Sequence, residues 1–366
     1  MTVNRQPRPT SGGRDLRLWK VGRALTVTFV TAVLVAGCVF YGLVYLLDFQ
    51  EIDTTKKLDA TTLFDLVKLS FGVVAGAGAL VALVVAYRRQ RVDEAGAHRE
   101  ATRLHSERFT QAVEQLGSDS PAVRLGGVHA LAGLADDAPD DSLRQTCIDV
   151  LCAYLQLPFT PDPGNDHPSH QEEHHRYLAF RKVRHTILRL IGDHYRRPRG
   201  THRSWQGCDL DLTGVTVDGS MDFRDAVFSD GTVDFSDAVF SGGTVDFSYT
   251  TFSSSVRANF GGATFSGSRV NFNRATFSMG CDVNFSRAVF SAGTVYYGAV
   301  FSGGLVNLSA TRFSGTTVYF NGAVFSGGLV KFDGAVGTAP NELLATVGTP
   351  APERFNLPSA WLSPNP

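Results

Sequence analysis

The stretch Val-Asp-Phe-Ser-Asp-Ala-Val-Phe-Ser-Gly-Gly-Thr, residues 233–244, contains the repeating unit that decides the fold of this chain. The unit consists of two pentads, each with a central Phe, followed by a two-residue Gly-Thr pair. It recurs about every twelve residues. A small or β-branched residue stands two positions before each Phe, as Ala238 does before Phe240, so both side chains point the same way from an extended chain. The pattern predicts a narrow tube of short strands with an aromatic interior.

The central aromatic residues of the pentads form two interleaved series along the chain. We expect them to point inward as the core of a β-solenoid: Phe223, Phe228, Phe235, Phe240, Phe247, Phe252, Phe260, Phe265, Phe272, Phe277, Phe285, Phe290, Phe301, Phe313, Phe320, Phe325 and Phe332. Tyr297 and Leu308 take the same position in their own units. Because such a core carries no chemistry, we expect the function to lie on the outer surface.

Asp or Asn stands directly before the central apolar residue of many first pentads. The positions are Asp222, Asp234, Asp246, Asn259, Asn271, Asn284 and Asn307. With these pentads the sequence resembles the pentapeptide-repeat family, in a two-span, membrane-anchored form of bacterial type. The resemblance implies a right-handed quadrilateral β-helix over residues 205–336. The fold class expected for the whole chain is α + β, with a two-helix membrane anchor and a helical adaptor before the solenoid.

A glycine-led pair after every second pentad departs from the pattern of that family. The clearest pairs are Gly231-Thr232, Gly243-Thr244 and Gly304-Leu305. Glycine at this position suits a bulge or a tight corner with positive φ. Pentads alone would give a coil of about 20 residues, whereas the added pairs would give a coil of about 24 residues.

Charge is distributed unevenly along the repeat. Residues 209–246 contain nine Asp and one Arg, whereas residues 257–331 contain one Asp and the basic residues Arg257, Arg269, Arg274, Arg287, Arg312 and Lys331. Such a surface can select a protein partner or favour self-association, and charged faces that contact only water are the alternative. A DNA-mimicking, gyrase-binding protein needs a long acidic stripe, so the basic half argues against that function. The net charge of −1 gives no general reason to expect nucleic acid as a partner.

Two charge-free stretches, residues 24–47 and 69–87, are long enough to cross a bilayer as helices. A basic segment, residues 1–23, precedes the first stretch, and three arginines follow the second. The loop between them, residues 48–68, is mostly acidic. The positive-inside rule therefore predicts a multi-pass protein of the cell membrane, with a lipid environment, an external loop and both termini in the cytoplasm.

Small residues in the predicted spans suggest two further features. Gly72 and Gly76 lie one helical turn apart and predict close packing against the first span or another copy of the chain. The run Val35–Cys38 resembles a lipoprotein processing site, with cleavage and lipid attachment at Cys38 as the alternative to an intact span. The sequence stays apolar after Cys38, which favours the intact span.

Residues 88–157 have the punctuation of a small helical adaptor. Start and stop residues predict helices over 107–116, 121–135 and 142–155. The stretch at residues 120–137 resembles one helix of a HEAT-type repeat. Because only about one repeat is present, we expect a HEAT-like helical hairpin that packs and carries no chemistry.

A histidine-rich linker, residues 158–175, follows the adaptor. It contains the weak metal-binding candidates His167, His170, His174 and His175. The run lacks the spacing of the usual zinc motifs, so a solvated linker is the favoured interpretation and a divalent-metal site is the alternative.

Residues 176–204 predict a basic amphipathic helix. The residues expected to contact anionic lipid or an acidic partner are Arg181, Lys182, Arg184, Arg189, Arg196 and Arg197. A basic face that contacts only water is the alternative. We favour lipid contact among the functional interpretations, because the spans would hold this helix near the negatively charged inner leaflet.

The last segment, residues 337–366, loses the repeat and gains prolines, which predicts a flexible tail. Its apolar residues Leu343, Leu344, Leu357 and Trp361 offer an alternative, in which the tail covers the open end of the solenoid.

Functional motifs are few. The sequence contains no P-loop, no Gly-x-Ser-x-Gly and no metal motif of the usual spacing, so we expect neither an enzyme nor a cofactor. The expected function is a membrane-tethered cytoplasmic scaffold with an unknown protein partner and a capacity for self-association. The alternative is a membrane-associated sensor or regulator whose spans respond to the bilayer.

Overall fold

The computed structural model describes residues 27, 30–31, 33–35, 37–42, 45, 60–160, 162–164, 170–348 and 351–362. The chain forms two compact units, Met1–Ala97 and His98–Pro366. The predicted basic N-terminus, residues 1–23, and residues 48–59 of the predicted external loop lie outside the described residues.

The described part of the N-terminal unit is helical and apolar. Helix α1 covers Ala60–Leu116 and supplies residues to both units. Among the described residues, it is the one helix long and apolar enough to cross a membrane, from Val67 onward. The predicted first span is described only in part, with a shorter apolar helical run at Val33–Gly42. The two-span topology and the location of the termini therefore stay predictions.

Helix α1 is longer than the sequence pattern indicated. The pattern predicted a span at residues 69–87 and a separate helix from Glu107, but the structure has one uninterrupted helix. The polar residues between these segments include no proline. Arg103 forms ion pairs of 2.6 Å with both Glu100 and Glu107, at the spacing that favours a helix.

Three more helices follow: α2 at Pro121–Asp136, α3 at Asp141–Gln156 and α4 at Gln171–Tyr195. Pro121 stands in the first turn of α2, and the Asp140 carboxylate accepts a hydrogen bond from the Leu143 N–H (2.9 Å) at the start of α3. Leu131, Ile148 and Ile187, one from each helix, are fully buried. The helices thus share one apolar core. Helices α2 and α3 lie within one residue of their predicted bounds, whereas α4 begins at Gln171, inside the predicted linker, and ends at Tyr195 instead of residue 204.

Short parallel strands stack along four faces to form a β-solenoid. Face A contains Leu210–Asp211, Thr232–Asp234, Arg257–Asn259, Asp282–Asn284, Leu305–Asn307, Leu329–Lys331 and Phe355–Asn356. Face B contains Thr216–Val217, Val239–Phe240, Arg312–Phe313 and Val336–Gly337, and face C contains Met221–Asp222, Thr244–Asp246 and Thr317–Tyr319. Face D contains Val227–Phe228, Thr251–Phe252, Thr276–Phe277, Val300–Phe301 and Val324–Phe325. The longer strands Thr264–Asn271 and Val289–Tyr296 start on face B and end on face C.

The strand register fixes the coil length. Val233 pairs with Ala258 and Ala258 with Val283, so these coils have 25 residues. Val306 pairs with Val330, which gives a coil of 24 residues. The solenoid has about six coils. Coils of 24 and 25 residues are too long for four pentads alone and agree with the longer predicted coil length, which includes the extra pairs. Gly304, which leads one such pair, has a φ of 80°.

Stacked rings fill the interior of the solenoid in four columns. The columns are Phe235–Phe260–Phe285, Phe240–Phe265–Phe290–Phe313, Phe223–Phe247–Phe272–Tyr297–Phe320 and Phe228–Phe252–Phe277–Phe301–Phe325. Ring centroids in neighbouring coils lie 4.7 to 5.4 Å apart. Leu308 and Phe332 continue the first column after Phe285. All the predicted core residues are buried except Phe325, which is half-buried. Burial of so much apolar area accounts for most of the stability of the solenoid.

The two pentads of each unit lie on different kinds of face. First pentads supply faces A and C, where the Asp or Asn before the core residue accepts a hydrogen bond from the backbone two residues later. The Ser248 N–H, for example, donates to Asp246 Oδ1 (2.9 Å), and Tyr249 follows with a φ of 59°. Second pentads supply faces B and D, where the inward aromatic residue mostly has Val or Thr before it and Ser after it. Charged side chains are therefore concentrated on two opposite faces.

Both ends of the solenoid are covered. At the first coil, the Tyr195 ring of α4 packs 4.9 Å from the Phe228 ring, and its hydroxyl donates to the Cys208 carbonyl (2.7 Å). At the last coil, the segment predicted as a flexible tail forms α5 (Leu343–Val347), the strand Phe355–Asn356 and α6 (Ser359–Leu362). Trp361 lies 5.4 Å from Phe332, so this segment covers the end of the core, the alternative that the sequence left open.

Candidate interaction site

The basic helix α4 binds the acidic first coil of the same chain. Asp218 accepts hydrogen bonds from Arg181 Nε (3.0 Å) and from the Tyr177 hydroxyl, and His185 Nε2 lies 3.1 Å from its other oxygen. Burial alone would raise the pKa of Asp218. The hydrogen bonds from His185 and Tyr177 and the charge of Arg181 outweigh this effect and hold that pKa well below its usual range.

Two other arginines of the predicted lipid-contacting set also point toward the solenoid. Arg184 is buried and donates from Nη2 to the Thr216 carbonyl (2.9 Å). Arg196 donates to the Asp222 carbonyl (3.1 Å). Because the Arg184 side chain is buried between α4 and the first coil, it is not accessible to a lipid surface.

The remaining predicted contact residues are more accessible. Lys182 and Arg189 are exposed, and Arg189 pairs with Asp193 one turn later (3.1 Å). Arg197 is half-buried and donates to the Arg203 carbonyl (3.4 Å). Contact with anionic lipid stays a prediction, and of the residues predicted to make it, Lys182 and Arg189 are exposed.

The basic half of the repeat has a different environment. Arg257, Arg269, Arg287 and Arg312 are exposed, and no ion pair involves them within the described part of the chain. The acidic coils, in contrast, are partly neutralised by α4 and the segment after it, where Arg199 pairs with Asp230. Free positive charge is thus concentrated in the second half of the solenoid, where Asp282 and Asp333 are the acidic residues.

Outward-facing tyrosines lie beside this charge. The Arg274 guanidinium lies 5.4 Å from the Tyr249 ring centroid, and Nη1 donates to the Tyr249 hydroxyl (3.0 Å). On face C, Tyr296 and Tyr319 stack with centroids 5.4 Å apart. We call these four residues, together with Arg269, the Tyr/Arg patch.

A groove of about 460 Å³ crosses the Tyr/Arg patch, lined by Arg274, Tyr296, Tyr319 and the amides of Asn273 and Asn321. Tyrosine and arginine are the residues most enriched at the energetically important centres of protein interfaces. The sequence interpretation missed these tyrosines. Their signal was a Tyr at a position that Asp, Asn or Ser fills in other units, as Tyr296 does before Tyr297.

The histidine-rich linker is described only in part, and His167 lies outside the described residues. His174 Nδ1 lies 2.6 Å from Asp162 Oδ1, and the His174 and His175 rings have centroids 6.3 Å apart. His170 stands at the start of α4. Across the described residues, no group of three or more His, Cys, Asp or Glu side chains is arranged to hold a metal ion.

The two glycines predicted to pack helices lie in α1. A Cβ added at Gly72 or Gly76 would meet no described atom within 4 Å. No described residue packs closely against either glycine, so their role in helix packing stays a prediction.

No protein-family model matches the chain, and no curated protein matches it. The class of protein is therefore defined by architecture: a helical region followed by a parallel β-solenoid of about six coils. Its stacked aromatic core is consistent with a pentapeptide-repeat fold, the family that the sequence resembles.

Proposed function

We propose that this protein is a membrane-tethered scaffold whose solenoid binds an acidic protein partner through the Tyr/Arg patch. The observation that carries the proposal is the outward position of Tyr249, Tyr296 and Tyr319, since the other aromatic rings of the coils fill the interior columns. Aromatic side chains held rigidly on an outer face cost little entropy when they bind a partner.

Charge supports an acidic partner. Arg269 extends from face C, and Arg274 stands at the corner that follows it, with a φ of 59°. Arg269 forms no ion pair and Arg274 has a neutral hydroxyl as its acceptor, within the region that the structure describes. A carboxylate of the partner could therefore form a charge-assisted hydrogen bond with either arginine without first breaking an ion pair within the chain.

The tether in this proposal is the apolar part of α1, with the span at residues 24–47 as its companion. Exposed apolar side chains along α1, such as Phe71 and Leu83, would cost free energy in water and suit a lipid environment. A multi-pass arrangement with both termini in the cytoplasm would place the solenoid on the cytoplasmic side.

The test is crosslinking mass spectrometry in native membranes with the full chain, comparing wild type with Arg269→Glu/Arg274→Glu. The matched control is Arg287→Glu/Arg312→Glu, because both arginines are exposed and Arg287 has the same φ of 59° as Arg274 at another corner. We expect the patch variant to lose crosslinks to its partner while the control keeps them. Equal crosslinking of both variants, or the absence of any crosslinked protein from the wild type, would contradict the proposal.

A further inference from the structure

A cleft of about 480 Å³ lies in the helical domain, between the end of α3, the segment that follows it and α4. Its walls include Arg124, Tyr154, Phe159, Tyr177, Phe180 and Arg184. A volume of this size suits a small molecule. The cleft lies far along the chain from the Tyr/Arg patch and plays no part in the proposed scaffold function.

Arg184 is the most deeply buried charged residue of the cleft, with 5% of its surface exposed. Its guanidinium lies 4.7 Å from the Phe159 ring centroid, and Nη2 donates to the Thr216 carbonyl. Its pKa is lowered by burial, against the opposing influence of Asp218. No carboxylate pairs with Arg184 among the described residues, because Asp218 is bound to Tyr177, Arg181 and His185.

Arg124 supplies a second guanidinium to the cleft. It lies 4.4 Å from the Phe180 ring centroid, and Nη1 donates to the Tyr154 hydroxyl (3.0 Å). Nε donates to the Ser118 carbonyl. All these partners are neutral, so the positive charge of Arg124 is held in place without a counter-ion from the described part of the chain.

The balance of charge in the cleft is positive. Arg176 stands near the opening, 5.7 Å from the Phe180 ring centroid, and the exposed Glu173 is the acidic residue of the lining. With three guanidinium groups and one exposed carboxylate, the lining of the cleft has an excess of positive charge. A buried charge without a partner is costly, so the arrangement favours an anionic ligand.

We propose that this cleft binds a phosphate group carried by a small organic molecule, with Arg124 and Arg184 as the ligating residues. Guanidinium groups match phosphate oxygens with paired hydrogen bonds, and fixed arginines lose little entropy on binding. Phe159 and Phe180, already beneath the two guanidinium groups, supply apolar walls for the organic part. The phosphate can come from a soluble phosphate ester or from the headgroup of an anionic lipid.

The test uses the full chain in nanodiscs and isothermal titration calorimetry. One arm adds adenosine monophosphate and inorganic pyrophosphate to protein in phosphatidylcholine nanodiscs. The other arm measures the thermal stability of the protein in nanodiscs with and without phosphatidylinositol phosphate. Saturable heat with adenosine monophosphate in the first arm identifies a soluble ester as the source, and stabilisation in the second arm alone identifies a lipid headgroup.

We expect Arg124→Gln to weaken the observed binding at least tenfold, whereas Arg312→Gln, which removes an exposed charge from the solenoid, leaves it unchanged. Arg124→Lys keeps the charge but loses the fork of donors, and should weaken binding to a similar degree. Since Arg124 is half-buried, a melting curve of each variant establishes that it is folded. Binding that responds equally to Arg312→Gln and Arg124→Gln, or no binding in either arm, would overturn the proposal.

Discussion

Tyr297 stacks on Phe272 with the ring centroids 5.2 Å apart and the ring planes within 1° of parallel. Phe320 stacks on its other side at 5.1 Å. Tyr297 is thus the one tyrosine in a column of phenylalanines, and its buried hydroxyl has no hydrogen-bond partner among the described residues. Burial without a partner raises the pKa of Tyr297 well above its usual value and makes the hydroxyl a cost to the fold.

Tyr297→Phe should therefore stabilise the protein. Removal of a buried polar group that has no partner gains about 1 kcal/mol, which raises the melting temperature by a few degrees. The control is Tyr296→Phe, the same change on the outer face, which should alter the free energy of unfolding by less than about 0.5 kcal/mol. A lower melting temperature for Tyr297→Phe would show that its hydroxyl has a partner after all.

Adjacent glycines of α2 should respond in opposite directions to substitution by alanine. A Cβ at Gly127 would lie 2.5 Å from Leu116 N and 2.8 Å from Ala112 O, so α1 and α2 would have to separate. A Cβ at Gly126 would lie 3.7 Å from Gln115 Oε1, an ordinary contact. We expect Gly127→Ala to cost about 1–3 kcal/mol and Gly126→Ala to gain up to about 1 kcal/mol from helix propensity. Thermal unfolding of the two variants side by side measures the difference, and equal shifts would contradict the close approach of these helices.

The repeat was predictable because its inward residues obey a local period. Each Phe column follows from spacing along the chain, and the Asp or Asn before each core residue follows from the local turn, as at Asp246 and Tyr249. The coil length was ambiguous in the sequence because pentads and added pairs are local, whereas the number of pentads in a coil is decided by strand register. Pairings between strands of neighbouring coils, such as Val233 with Ala258, fix it.

The surfaces were less predictable because they depend on docking between distant segments. The basic character of α4 was visible in the sequence, but its acidic partner in the first coil was not, since Arg181 and Asp218 are separated by 37 residues. The cleft that holds Arg124 and Arg184 likewise combines residues from three segments. Only the packing of α4 on α2 and on the first coil brings these charges together.

Four cysteines should resist alkylation in the folded protein. Burial raises the pKa of Cys147 and of Cys152 to about 12, and that of Cys208 and of Cys281 to about 11. The reactive thiolate is therefore scarce at pH 7.5. Treatment with N-ethylmaleimide at that pH should leave these four unmodified, as read by peptide mass spectrometry. Met279→Cys provides the positive control, because Met279 is 75% exposed and its replacement should react fully. Modification of the buried four at the rate of that control would contradict their burial.

Loss of the Asp218 carboxylate should loosen α4 from the first coil. The carboxylate binds Tyr177, Arg181 and His185, so Asp218→Asn should cost about 2 kcal/mol at pH 7, the range for hydrogen bonds to a charged group. The matched control is Asp225→Asn, which removes the same charge from an exposed corner and keeps a residue type that tolerates positive φ.

The stability that Asp218 contributes should also depend on pH in a defined direction. Its pKa is lower in the folded than in the unfolded chain, where the pKa of Asp is about 3.9. The contribution is therefore complete above that value and is lost as the pH falls toward the lower folded value. The melting temperatures of wild type and Asp218→Asn, measured from pH 7 down to pH 2, should differ most at neutral pH, and the difference should shrink progressively below about pH 4. A difference that stays constant across this range would show that the carboxylate is not held in its charged form by α4.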